Sequence, residues 1–552
     1  MIDTVCNIAS HLPRRAEEQP YRLAVAFPHG RDRNGRVSYT HLTFRQLEEE
    51  SNLLAAGLQA IGIGRGVRTV LMVKPSLEFF ALTFALFKVG AVLVMVDPGM
   101  GIKNLGQCLA EAEPQAFIGI AKAHIARRLF GWGKATLHTL VTVGSSLWPS
   151  GKTLQQIRQL GEKANAFDPV PTSADDMAAI LFTSGSTGVP KGVVYTHGMF
   201  ASQVELLREA FHIEPGEIDL ATFPLFALFA PALGMSAIIP DMDATRPALV
   251  DSSKIVQAIN DFGVQNMFGS PALINRVGLY GEEHNIQLPT LKRVLSAGAP
   301  VPANVIERFT RMLPDETEVF TPYGATECLP VAVIGSKQIL EETRYKTEQG
   351  AGVCVGTPVA GVEVNVIRIS DEPITHWSDD LLLPAGDVGE IVVKGPQVTH
   401  RYYNREQSTK LAKIHGEDGS IYHRMGDLGY VDDQGLLWFC GRKSHRVITP
   451  EGTLFTVACE NIFNVHPAVC RTALVGVGES GQQKPVLCVE LKPETRHLDH
   501  KSLIEELRKL GERHEQTQAI RTFLFHPSFP VDVRHNSKIY REKLAVWARK
   551  RV

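Results

Sequence analysis

Apolar runs of strand length alternate with amphipathic stretches of helix length along most of this chain. That alternation restricts it to folds in which sheets are covered by helices. The segment from Thr43 to Ile63 places Leu47, Leu53, Leu54 and Leu58 at helical spacing. RTVLMVK, from Arg68, and AVLVMVD, from Ala91, read as short buried strands. MAAILFTS, from Met177, reads as a strand entering a Gly/Ser/Thr loop, with a helical pattern after the loop. VQNMFGSP, from Val264, and LKRVLSAGAP, from Leu291, read as strands closed by Gly and Pro turn chemistry. The expected class is α/β. At 552 residues the chain exceeds one domain's usual size. A boundary is expected near Gly441–Ser444, dividing residues 1–441 from a small α/β module at 442–552. That module reads as a helix near Cys459–Asn464, the strands TALVGVG and PVLCVELKP, a helix from Lys501 to Arg513, and a basic tail helix.

Composition narrows the function. Hydrophobic residues are 44% and charged residues 21%, with a formal net charge of -2, so broad electrostatic capture of nucleic acid is not expected. The 8 cysteines contain no CxxC pair, which argues against a zinc site or redox pair and for buried thiols in a reducing cytoplasm. The N-terminus lacks the basic-then-apolar pattern of a signal peptide. Two apolar stretches call for a membrane test. Phe79–Val96 carries Lys88 in its middle and reads as a buried helix, a turn at Gly90 and a core strand. Leu220–Pro240 has no charge, but Pro224, Pro231 and Gly234 interrupt it. No membrane span is expected.

TSGSTGVPKG, Thr183 to Gly192, is the most specific segment. Gly185, Gly188 and Gly192 let backbone N–H groups approach a ligand closely. Thr183, Ser184, Ser186 and Thr187 add hydroxyls, and Lys191 adds a cation. This is the composition needed to wrap a polyphosphate. It is not a Walker A loop, because Lys191 is followed by Gly192 rather than Ser or Thr. A kinase HRD run and a GxSxG elbow are absent from the sequence, and the triplet Asp261-Phe262-Gly263 has no HRD run before it.

The loop resembles the signature of the adenylate-forming superfamily of acyl-CoA synthetases, peptide-synthetase adenylation domains and firefly-type luciferases. Further segments in family order carry the same resemblance. Tyr323-Gly324-Ala325-Thr326-Glu327 is similar to the YGxTE motif, and Ser296-Ala297-Gly298-Ala299-Pro300 to the adenine-side turn. Gly389-Glu390-Ile391, Gly426-Asp427, Gly441-Arg442 and Asn536-Ser537-Lys538-Ile539 resemble the family's GE(L/I), TGD, GR and terminal GKI elements. The resemblance implies a large N-terminal part of packed α/β subdomains and a small mobile C-terminal lid. It implies ATP and Mg²⁺ as cofactors, with catalytic roles for Lys538, Thr326 and Lys191. Thr183, Ser184, Gly185, Ser186, Thr187, Gly188 and Lys191 would hold the phosphates, and Glu327 would bind the metal. Gly298, Ala299, Pro300, Tyr323, Gly324 and Ala325 would flank adenine, Thr326 would contact the α-phosphate, and Asp427 with Arg442 would meet the ribose. Lys538 would bridge the acid and the α-phosphate.

Family members that make thioesters rotate the lid about a hinge after the GR pair. Here that hinge position falls on Ser444, the following glycine run is replaced by Pro450-Glu451-Gly452-Thr453-Leu454, and Met425 replaces the TGD threonine. These departures argue against thioester formation, and coenzyme A is not expected as a cofactor. The acyl element reads TFPLFALFAPALG, with Ala227 where a histidine often stands. Phe223, Phe226, Leu228, Phe229 and Met235, with Phe268 and Gly269, are the expected pocket, against the alternative of an ordinary buried helix. Such a wall holds an alkyl chain without charge, each buried CH₂ contributing about 0.8 kcal/mol. Within the superfamily the pattern is most similar to the β-lactone synthetase group of long-chain olefin biosynthesis. That resemblance implies a cytoplasmic enzyme that adenylates a 2-alkyl-3-hydroxy fatty acid and closes it to a β-lactone, possible assembly with other enzymes of that pathway included. A fatty acyl-CoA or acyl-carrier ligase and a catalytically silent nucleotide-binding protein are the alternatives. No His–carboxylate pair stands out as a base for the 3-hydroxyl.

Overall fold

The computed structural model describes residues 6–145, 150–164, 166–183, 190–531 and 538–552. Helix Phe44–Gln59 starts where the sequence predicts it, because Thr43 and Gln46 form a reciprocal cap. The Gln46 N–H donates to Thr43 Oγ1 at 3.2 Å and the Thr43 N–H donates to Gln46 Oε1 at 2.9 Å. Phe79–Val96 resolves into the helix Leu77–Lys88, a left-handed Gly90 and the strand Val92–Met95. Among the described residues no helix is long and apolar enough to cross a membrane.

A seven-stranded sheet runs from Lys152–Thr153 at one edge to Gly192–Thr196 at the other. Its strands are parallel except for the final pair, Met177–Phe182 against Gly192–Thr196. A fourteen-stranded sheet has a parallel section of Ser236–Ile238, Ile218–Ala221, Asn266–Phe268, Arg293–Leu295 and Glu318–Ala325. It then turns antiparallel through Cys328–Gly335 and ends in Leu437–Arg442, Ile421–Val431, Gly389–Lys394 and Glu363–Ile367. Neither sheet includes a strand after Arg442; the later strands form separate sheets of two and three.

Helices cover the sheets and close three main cores. One joins Leu54, Phe80, Leu86, Tyr195 and Phe211 between the two large sheets. A second, with Ile259, Leu273, Val277, Val294 and Phe309, lies under helices Ser252–Phe262, Pro271–His284 and Ala303–Thr310. The third, with Ile462, Phe463, Leu474, Leu487 and Leu507, belongs to the C-terminal segment alone. Each fully buried Leu or Phe there contributes about 1.5–3 kcal/mol. The architecture is mixed α/β with several sheets, as expected.

Candidate active site

The Gly/Ser/Thr loop connects two antiparallel strands. The strand Gly192–Thr196 intervenes before helix His197–Phe211, which corrects the expected strand–loop–helix order and moves a helix N-terminus away from the loop. The Thr183 N–H donates to Lys191 O at 3.1 Å and closes the base of the loop. Ser184, Gly185, Ser186, Thr187 and Gly188 lie outside the described residues. Beyond Lys191, the Tyr403 N–H donates to Gly192 O at 2.8 Å and the Val194 N–H to Arg401 O at 3.2 Å. This pairing carries Tyr402 to the loop, with Lys191 Nζ 5.0 Å from its ring centroid.

Thr326 and Glu327 form the two-residue tip of the hairpin that joins Glu318–Ala325 to Cys328–Gly335, with Ala325 opposite Cys328. Gly324 is needed beside the tip, because an added Cβ would sit 2.8 Å from Leu329 Cβ and 2.9 Å from Cys328 O. Three groups brace the tip. The Tyr402 hydroxyl donates to Glu327 Oε1 at 2.7 Å. The N–H and hydroxyl of Thr399 both donate to Glu327 O at 3.0 Å. The Tyr195 hydroxyl donates to Thr326 O, and Gln203 Nε2 donates to Leu329 O at 3.0 Å. Behind Thr399 lies Lys413, 2% exposed, whose Nζ donates to Thr399 Oγ1 at 3.2 Å. Burial pushes its ammonium down to about 8, and the Glu327 charge is the main opposing effect. A lone carboxylate at a turn tip suits Mg²⁺, which takes few protein oxygens and completes its shell with water and phosphate.

Asp427 and Arg442 face each other across the strands Ile421–Val431 and Leu437–Arg442. Asp427 therefore sits within a strand. The Tyr323 hydroxyl donates to Asp427 Oδ2 at 2.7 Å, and Arg442 Nη1 lies 2.9 Å from Oδ1. Arg442 Nη1 also donates to Met425 O at 3.2 Å, and among the described residues no aligned hydrogen bond reaches Asp427 Oδ1. A buried carboxylate oxygen in that state fits a ligand bearing hydroxyl donors, as a ribose does. Burial raises the Asp427 carboxyl against the pull of Arg442, while Asp427 raises Arg442 and keeps it charged. Gly441 is required next door: at φ +136° it approaches helix Thr456–Asn464 so closely that a Cβ would meet Thr456 Oγ1 at 2.6 Å. Met425 packs its side chain with Cys328 and Ile391.

The C-terminal ends of the parallel strands gather the remaining residues, where ligands bind in open α/β sheets. Thr222 Oγ1 donates to Phe268 O at 2.6 Å and the Gly269 N–H to Leu295 O at 2.8 Å. Ser296 Oγ is buried without a hydrogen-bond partner among the described residues, and beyond it Gly298 and Pro300 are exposed, with Ala299 between them half-buried. The Phe226 ring lies 4.5 Å from Phe268 and 5.5 Å from Phe223. Phe229 meets Phe200 at 6.3 Å, which stacks on Tyr195 at 4.6 Å, and Leu228 packs on the same core. Met235 stands apart: Asn266 Nδ2 reaches its Sδ at 3.5 Å, at the opposite end of strand Asn266–Phe268. The segment is two short helices, Pro224–Ala227 and Phe229–Leu233, ended by a left-handed Gly234, with Ala227 and Ala230–Leu233 buried.

Lys538 adjoins Ile539, which bridges to Val531, and Arg541 is held by Glu460 with Nη2 2.5 Å from Oε2. His445 joins this region to Arg442. Burial, with Arg541, Arg442 and Lys538 around it, pushes its imidazole down to about 3. Lys443 Nζ lies 2.9 Å from Glu390 Oε1, Arg424 Nη2 is 2.6 Å from Glu390 Oε2, and Arg446 Nη2 is 2.5 Å from Asp371 Oδ2. Ser444 lies between these anchors and is exposed. Sequence reasoning missed Tyr402, Thr399, Tyr195 and Lys413; only their pairing with Thr326 and Glu327 reveals them.

The AMP-binding enzyme family profile matches residues 12–403. An olefin beta-lactone synthetase from Xanthomonas campestris pv. campestris is 53% identical over 99% of this chain and 98% of its own length. A second protein of that name, from Stenotrophomonas maltophilia, is 52% identical over 98% of each chain. Among solved structures, an amide bond synthetase from Marinactinospora thermotolerans superposes with a TM-score of 0.77 at 20% identity, over 98% of this chain and 99% of its own. The chain belongs to the AMP-binding enzyme family, the ATP- and Mg²⁺-using adenylate-forming enzymes, in the branch of the olefin beta-lactone synthetases.

Proposed function

We propose that this enzyme adenylates a long-chain 2-alkyl-3-hydroxy fatty acid and closes the acyl adenylate to a β-lactone without coenzyme A, in the cytoplasm beside other enzymes of olefin formation. The observation that carries the adenylation reading is the buried Asp427, fixed by Tyr323 and by the Arg442 ion pair to Oδ1, in one site with the Glu327 tip. Asp427 and Arg442 orient the ribose. Thr183, Lys191 and the loop between them hold the phosphates, Gly298–Pro300 with Tyr323–Ala325 flank adenine, and Phe223, Phe226 and Phe268 wall the alkyl chain. Mg²⁺ held by Glu327 supplies charge neutralisation at the phosphates. Lys538 holds the acid carboxylate beside the α-phosphorus and, with Thr326 and Lys191, offsets the negative charge that gathers in transfer.

In the first step a carboxylate oxygen forms a bond to the α-phosphorus and pyrophosphate leaves. In the second, the 3-hydroxyl oxygen bonds to the acyl carbon, its proton is lost, and the acyl–oxygen bond to AMP breaks. The nucleophile is intramolecular, so orientation alone supplies an effective molarity on the order of 10⁵ M or more. The linker supports a single working arrangement: Lys443 and Arg446 tie it on either side of Ser444, with Lys538 near His445 and Arg442. The test is mass spectrometry of products from a 2-alkyl-3-hydroxy acid with ATP and Mg²⁺ and no thiol. A β-lactone with one AMP per ring is expected, and strict dependence on coenzyme A would overturn the assignment. Lys538→Ala is expected to slow pyrophosphate exchange severely while ATP still binds; unchanged exchange would remove its role.

A further inference from the structure

We propose that the face formed by helix Ala121–Phe130 and the start of helix Ile102–Ala112 docks on a bilayer surface containing anionic lipid. The outward side of helix Ala121–Phe130 consists of Lys122, Ile125, Arg128 and Leu129. Ile125 and Leu129 lie four residues apart on a helix, so their side chains adjoin. They are 59% and 74% exposed. Phe130, 50% exposed, stacks on Trp132 with ring centroids 5.7 Å apart. Ile102, 55% exposed, closes the other side of a groove of about 370 Å³ that Lys103, Gln107, Phe130 and Trp132 also line. Eight large apolar side chains are at least half exposed among the described residues, and four of them are on this face. Single exposed apolar residues are ordinary, but a contiguous group marks a contact surface.

Charge selects the occupant. From Pro114 to Gly161 the sequence has no Asp or Glu, yet carries Lys122, Arg127, Arg128, Lys134, Lys152 and Arg158, in a chain whose net charge is -2. Arg158 is engaged with Glu50, and Arg127 lies over the Phe117 ring. Lys103, Lys122, Arg128 and Lys134 are exposed and make no ion pair among the described residues. Of the acids flanking this stretch, Asp97 accepts from the Gly99 N–H, Glu111 pairs with Arg405, and Glu113 stands at the far end of helix Ile102–Ala112. An apolar centre ringed by long cations matches acyl chains beneath anionic headgroups. A protein partner's contact surface is instead depleted in lysine. The attachment is peripheral: Leu129 and Phe130 enter the headgroup layer while the cations stay in it. This surface would bind lipid whichever acid the enzyme activates. It also stands one helix from the reaction: Glu111 holds Arg405, three residues after the Tyr402 that braces Glu327.

The test is cosedimentation of the full-length enzyme with vesicles of phosphatidylcholine mixed with phosphatidylglycerol, and with phosphatidylcholine alone. Binding to the anionic vesicles is expected, weakened by added salt. Lys122→Glu with Arg128→Glu is expected to weaken it about tenfold or more, and Leu129→Asp about tenfold. Circular dichroism and turnover of a short-chain, freely soluble 3-hydroxy acid should be unchanged in both variants. Failure of the unaltered enzyme to bind anionic vesicles, equal binding by the variants, or self-association that the same substitutions abolish would each overturn the proposal.

Discussion

Two lysines are fully buried in this enzyme, and their surroundings differ. Lys88, at the end of helix Leu77–Lys88, donates to Glu48 Oε2 at 2.6 Å, Ser51 Oγ at 2.8 Å and Asn52 Oδ1 at 2.6 Å. Its partners all come from helix Phe44–Gln59, so the cluster staples one helix to another. Lys413 has a single side-chain hydrogen bond among the described residues, to Thr399 Oγ1, and its charge is opposed chiefly by Glu327. Burial pushes both ammonium groups down to about 8. Burial alone therefore does not separate scaffold from site; saturation of the donors does. A saturated buried cation is a packing device, whereas one that has donors to spare beside the carboxylate proposed to hold the metal is placed to act on that carboxylate.

Substituting each lysine by methionine tests the contrast. Lys88→Met takes the donor from Asn52 Oδ1 and the cation from Glu48, although Ser51 Oγ and Asn52 Nδ2 keep their hydrogen bonds to Glu48, so the unfolding free energy should fall by about 3 kcal/mol. Denaturant titration reads that loss, and the folded fraction should keep its normal kcat/KM. Lys413→Met should do the reverse. Its stability should stay within about 1 kcal/mol of the parent, because a buried charge is exchanged for an apolar chain of similar volume. Adenylation should fall about tenfold to a hundredfold, with a raised Mg²⁺ requirement, because the support behind Glu327 is gone. Equal activity in the two variants would erase the distinction.

A smaller effect follows from pH. Burial pushes the Lys88 ammonium down to about 8 in the folded chain, whereas the solvated lysine of the unfolded chain keeps its ordinary value of about 10.5. Between those limits the unfolded state binds the extra proton, so rising pH favours the folded state. The stability advantage of the parent over Lys88→Met should grow by about 1 kcal/mol across the first unit above pH 8 and level off past 10.5. A constant difference would mean that Glu48 holds the amine charged throughout.

Residues whose chemistry is local were legible in the sequence. Glu327, Asp427, Arg442 and Tyr323 stand in segments whose resemblance to the family's motifs implies phosphate and ribose contacts, and the fold brings Tyr323, Asp427 and Arg442 into hydrogen-bond or ion-pair range. Tyr402 and Lys413 were not legible. Tyr402 reaches Glu327 across 75 residues, through strand pairing between Gly192–Val194 and Arg401–Tyr403. Lys413 begins a three-residue strand, Lys413–His415, with no periodicity to mark it as buried. Met235 was misplaced for a related reason: apolarity along Leu220–Pro240 does not say which end of the sheet a side chain faces, and the break at Gly234 turns Met235 toward Asn266.

The smallest effect belongs to the hydroxyl shared by both halves of this support. Tyr402→Phe removes one oxygen and keeps the ring that lies over Lys191 at 5.0 Å. Only the 2.7 Å hydrogen bond to Glu327 Oε1 is lost. A hydrogen bond to a charged acceptor contributes about 1.5–3 kcal/mol, but water can replace this donor at a half-buried turn, so about 1 kcal/mol should remain visible. That corresponds to about fivefold in adenylation, seen mainly as a raised Mg²⁺ requirement with ATP affinity unchanged. Combined with Lys413→Met, the two losses should be less than additive, because both act through the orientation of Glu327. Full additivity would mean that the hydroxyl and the buried ammonium steady different groups, and Lys413 would then belong with Lys88 as scaffold.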